Sequence, residues 1–117
     1  MESRCDIGAE EEGEMKSKTF DNIVLQRCDK IKSILASKAK EYATEDRLHN
    51  FKRASVFMNK TPAMVCWGFA MKHLTSVADI VDQVESGQKI EPWLIEEKIG
   101  DSINYLILLE AILKEDK

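Results

Sequence analysis

Two prolines and five glycines in 117 residues leave little to interrupt a helix. No segment alternates apolar and polar residues as a half-buried strand would. Long apolar runs are also missing. Nothing reaches the ~18 uninterrupted apolar residues of a membrane span, and the start MESRCDIGAEEEGEM lacks the apolar core of a signal peptide. A cytoplasmic chain with no membrane partner is therefore expected. Cysteine is scarce: Cys5, Cys28 and Cys66 are odd in number and widely spaced, with no CxxC pair, which points away from a disulfide framework or a zinc site. Excess positive charge is absent as well. Seventeen Lys and Arg against 21 Asp and Glu give a net charge of -4, unsuited to non-specific binding of duplex nucleic acid.

The 44% of hydrophobic residues, set beside 32% charged, is enough for a folded domain. The length suits one core, so the expected division is a disordered acidic tail over 1–17 and a single helical-bundle domain over 18–117. The tail carries Glu2, Asp6, Glu10, Glu11, Glu12 and Glu14 with almost nothing to bury. From Thr19, the apolar residues Phe20, Val24, Cys28, Ile31 and Leu35 recur at helical spacing, predicting a helix to about Glu41. The segment EYATEDRLHNF loses that period and reads as a loop, after which Asn50 suits the N-cap of a short second helix.

Within KTPAM, Thr61 can cap and Pro62 needs no amide donor at the first helical position, so a long third helix should start there and end near Ser86 and Gly87. Its apolar rows are Trp67, Met71, Leu74, Ala78 and Val81 beside Cys66, Ala70, Val77, Ile80 and Val84, a broad face expected to be buried. Glu91 before Pro92 opens a fourth helix to about Lys114, whose stripe runs from Trp93 through Ile95, Ile99, Ile103, Leu106 and Leu109 to Leu113. Its C-terminal half is apolar nearly all round. The expected fold class is all-α: a bundle of about four helices with a short second one, associating as a homo-oligomer.

The fourth helix begins as EEKIGD and ends in leucines. Glu97, Asp101, Asn104 and Leu108 share a line, so the polar groups continue a row that is buried further along. Lys98 and Tyr105 lie beside them, and Gly100 in mid-helix costs roughly 1 kcal/mol relative to Ala, a sign of close packing. A carboxylate entering a bundle must be paired, hydrated or bound to a metal. One outcome is a set of salt bridges from Arg47, His49, Lys52, Arg53, Lys72 or His73 that merely ties the loop to the bundle, with His73 a hydrogen-bonded histidine at the core edge. Two others carry chemistry. In one, Glu41, Glu45, Glu97 and Asp101 hold Mg²⁺ against a triphosphate. In the other no cofactor is needed: Lys38, Arg47, Lys72 and Lys98 bind phosphate, Asn50, Asp101 and Asn104 read polar edges, and Tyr42, Phe51 or Tyr105 covers a base.

The runs EYATEDRLHNFKRA, MKHLTSVADI and EEKIGDSINYLILLEA resemble a group of short helical proteins of bacteriophage and prophage genomes, over about Lys38 to Glu115. The positions that recur in that group correspond here to Lys38, Glu41, Tyr42, Asp46, Arg47, Asn50, Phe51, Lys72, His73, Asp79, Lys98, Asp101, Asn104 and Tyr105. The resemblance implies a phage-encoded protein of the host cytoplasm, and a sponge for a nucleotide signal of host defence as one specific form. The chain is more distantly similar to the MazG-like all-α nucleoside triphosphate pyrophosphatases, whose EExGD-type segment and upstream Glu pair bind Mg²⁺. Here EEKIGD has one residue too many, which puts Lys98 at a ligand position, and Glu41 and Glu45 are four apart rather than three. The leading expectation is thus binding of a small anionic ligand, a nucleotide, by Lys38, Tyr42, Arg47, Asn50, Lys72, His73, Lys98, Asp101, Asn104 and Tyr105. A Mg-dependent pyrophosphatase and a structural or protein-interaction module are the alternatives.

Overall fold

A computed structural model describes residues 14–41 and 46–115, with the side chains of 37–41 left aside. Most of the acidic tail, together with Tyr42, Glu45 and the side chains of Lys38 and Glu41, therefore lies outside the described residues. The fold is all-α, with helices α1 (Ser17–Glu41), α2 (His49–Met58), α3 (Pro62–Glu85) and α4 (Pro92–Lys114) and no strand among the described residues.

The boundaries follow local chemistry. Thr61 accepts a hydrogen bond from the Met64 amide at 3.1 Å while Pro62 occupies the first position of α3, so two amide problems are solved by two adjacent residues. Gly87 adopts φ 95°, where a side chain would be strained, and the Gln88 amide then closes onto the Gln83 carbonyl at 2.9 Å. α2 starts one residue before the expected Asn50 cap. The Asp46 carboxylate accepts from the Leu48 amide at 2.9 Å, and this Asx turn leads straight into His49.

The core is small and sits where α2, α3 and the end of α4 meet: Leu48, Phe51, Val65, Cys66 and Ile112, flanked by Ala54, Ala63, Tyr105, Leu108 and Leu109. α3 and α4 form an extensive hairpin. Cys66 and Ala70, both fully buried, allow α4 to approach α3 closely, and the Cys66 thiol reaches the Tyr105 carbonyl at 3.5 Å. Burial pushes that thiol up to about 11, so it stays protonated at neutral pH and serves as packing rather than as a nucleophile.

One expectation needs correcting. Of the two rows on α3, only the start of one, Cys66 and Ala70, is buried in the core; Trp67, Met71, Leu74 and Val81 of the other are exposed, as is Val84 at the end of the first. On α4, Trp93, Ile95, Leu106 and Leu113 are exposed and the buried positions include Gly100, Ser102 and Asn104. The reason is α1, which packs along α4 alone and leaves Phe20, Ile23 and Val24 uncovered. Gly100 does mark a close approach: the Arg27 guanidinium lies where its Cβ would be, 2.5 Å away, and donates to the Glu96 carbonyl at 3.0 Å.

Candidate functional site

The line of polar residues on α4 sinks into the fold as its register requires. Glu97 is exposed, Asp101 half-buried, and Asn104 only 7% exposed, before Leu108 joins the edge of the core. Asp101 and Asn104 open into a cleft of about 520 Å³, a size suited to a small ligand. α2 contributes Asn50, Phe51 and Ala54, α3 contributes Phe69 and His73, and α4 adds Tyr105 and Leu108. Ile34 and Leu35 of α1 close one side, beside Arg47.

The cleft has an aromatic wall. Tyr105 stands edge-on to Phe51 at 6.4 Å, Phe69 is tilted against both, and the His73 ring stacks on Tyr105 at 4.8 Å and 19°. His73 Nδ1 lies 3.7 Å from Asp101 Oδ2, close enough for attraction and too far for a hydrogen bond. Arg47 donates to the Leu35 carbonyl at 2.7 Å through one nitrogen, so its guanidinium is fixed at the cleft with other N–H donors in its fork. Asn104 Oδ1 is buried and accepts no hydrogen bond. An acceptor desolvated in this way costs roughly 1–3 kcal/mol.

Six of the expected ligand residues therefore converge: Arg47, Asn50, His73, Asp101, Asn104 and Tyr105. Lys72 is exposed on α3 and Lys98 half-buried on α4, and neither lines the cleft. Lys38 and Tyr42 lie outside the described residues or side chains. For the Mg²⁺ set, Glu97 is exposed away from the cleft, Asp101 faces His73, and Glu41 and Glu45 are beyond description. Among the described residues no three potential metal ligands gather. Ile34, Leu35 and Phe69 were missed as cleft residues. Phe69 had a signal, since it precedes His73 by one helical turn.

The turn that presents Arg47 is held by a clamp. Lys52 pairs with Asp46 at 2.6 Å and with Glu115 at the end of α4. The Lys52 hydrogen bond, aided by the Leu48 amide, holds the Asp46 carboxyl below its usual range, and the hydrogen bonds to Asp46 and Glu115 raise Lys52. A lowered carboxyl adds stability above its unfolded pKa that is lost as pH falls through the folded value; a raised lysine adds stability that is lost at the alkaline end. Thermal unfolding of the native chain and Lys52→Met should thus differ by a constant amount near neutrality. The gap should close below about pH 4 and above about pH 10.4. A gap independent of pH would show that the clamp is only packing.

No known protein family, curated protein or solved structure matches the chain. No helix among the described residues is long and apolar enough to cross a membrane.

Proposed function

We propose that the protein binds a small anionic ligand, a nucleotide or a nucleotide-derived signal, in the cleft between α2, α3 and α4 and holds it without turnover. The observation that carries this reading is the unmatched Asn104 carbonyl buried in a cleft that also has an arginine and an aromatic wall. A residue that only filled the core would be apolar here, because an amide without a donor destabilises the empty protein. In the complex Arg47 takes the anionic group, Asn50 orients it, and Phe51, Phe69 and Tyr105 flank a planar ring. The likeness to phage proteins makes sequestration of a signal the natural role for such a binder.

The test is a thermal-shift screen of nucleoside mono-, di- and triphosphates and cyclic nucleotides, with and without Mg²⁺. A true ligand at a hundredfold excess over its dissociation constant should stabilise the fold by about 2.7 kcal/mol. Arg47→Gln should weaken binding roughly 10- to 100-fold, the worth of one hydrogen bond to a charged group. A screen with no hit rejects the proposal, and Mg-dependent release of pyrophosphate from a triphosphate would favour the pyrophosphatase alternative instead.

We also propose that the chain acts as a homo-oligomer, built on the apolar surface that α1 and α4 leave open. α1 and α4 border a groove of about 540 Å³ lined by Ile23, Val24, Ile95, Ile99 and Ile103. An apolar groove of this kind marks an association surface.

A further inference from the structure

We infer that the inner end of the cleft reads a guanine-type edge, meaning two neighbouring N–H donors on a planar ring. This rests on the ligand-binding reading above and gives it a substrate class. Asn104 Oδ1 is buried among protein atoms with no donor to satisfy it. Asp101 stands three residues earlier on α4, hence on the same face, and also lines the cleft. Its nearest cationic candidate, His73 Nδ1, is 3.7 Å away, so the carboxylate too has capacity for a donor. Among the described residues Asn104 Oδ1 thus has no donor and Asp101 only a long contact, two acceptors on one face of α4 at the cleft.

The common bases answer that pattern differently. Guanine offers a ring imide N–H beside an exocyclic amine, two adjacent donors that a carboxylate and a carbonyl can share. Adenine and cytosine each offer one amine next to a ring nitrogen acceptor, which would face an acceptor of the protein. Uracil and thymine offer one N–H between two carbonyls. Only the guanine edge leaves no acceptor opposed to an acceptor, and a buried mismatch of that kind discriminates strongly. Phe51 and Phe69 supply faces against which the ring stacks, and Arg47 sits where the phosphate end would meet a cation.

The experiment is calorimetric titration of the full chain with the 5′-monophosphates of guanosine, inosine, adenosine, cytidine and uridine. Inosine keeps the imide N–H and lacks the exocyclic amine, so it tests one acceptor without any mutation. Guanosine monophosphate should bind at least tenfold more tightly than inosine monophosphate, and more tightly still than the other three. Asn104→Leu, which keeps the size and removes the acceptor, should lower guanosine binding at least tenfold with the fold retained by thermal unfolding, and Asp101→Asn should narrow the preference over inosine. Equal binding of inosine and guanosine, or preference for adenosine, overturns the edge assignment and leaves the cleft as an anion site. If none of the five binds and the wider screen is also silent, both readings fall.

Discussion

Phe51→Ala should unfold the protein more readily than any surface change, by about 3–5 kcal/mol. The ring is 9% exposed and is the single contribution of α2 to the buried core besides its lead-in residue Leu48. It packs on Phe69 of α3 and Tyr105 of α4, so removing it leaves a hole at the junction of three helices. α2 is short, and a ten-residue helix is held by packing rather than by its own propensity. With each kcal/mol worth roughly 4–8 °C in a domain of this size, thermal unfolding should fall by on the order of 20 °C. Phe51→Leu keeps most of the volume and loses the ring. It should retain most of the stability while still weakening a stacked ligand, which separates the two roles of this residue. A drop of only a few degrees for the alanine variant would mean that α2 is not anchored as described.

The helix starts were readable because they depend on neighbours in sequence: Thr61 with Pro62, and Glu91 with Pro92, act within one turn. The choice of buried face was not. Periodicity shows which residues share a side, as Trp67, Met71 and Leu74 do, yet the side that turns inward is decided by helices far away in the chain. Here α4 takes the small-residue row of Cys66 and Ala70, since only small side chains let the two backbones come so close. The site follows the same division. Asp101, Asn104 and Tyr105 were found together because they lie on one stretch of α4, and Arg47 and Asn50 because they flank one turn. Lys72 groups with them only by charge, since it precedes His73 by one residue and is turned about 100° away around α3, while Lys98 lies a turn short of Asp101, towards the start of α4 and outside the cleft. Cleft residues of α1 carried no polar signal at all.

Association of two copies through α1 should be abolished by Phe20→Glu combined with Val24→Glu, with the folded protomer left intact. Phe20 is 56% exposed and Val24 45% exposed, so neither carboxylate needs to enter a core of the single chain. They lie on the face of α1 that borders the apolar groove, close in register to Ile23. The protomer is extended, 56 × 30 × 24 Å with a radius of gyration of 18.2 Å, against about 13 Å for a compact domain of this length. Packing a second copy along α1 would restore the missing layer. Phe20 and Trp93, both more than half exposed, each offer roughly 100 Å² of ring. With the isoleucines of the groove they form an apolar patch of several hundred Å², the size that marks an association surface. A second copy is the occupant proposed, because two chains can bring the same apolar face together about a two-fold axis. In such an interface every substitution counts twice. Loss of about 1.5 kcal/mol per residue at four positions weakens association on the order of 10⁴-fold. Sedimentation equilibrium should give the native chain twice its 13.4 kDa mass and the double variant the single mass, while Val56→Glu, on the exposed side of α2, should change nothing. A native chain that stays at 13.4 kDa at 100-micromolar order concentration would reject the second copy as occupant and leave the groove to a different protein.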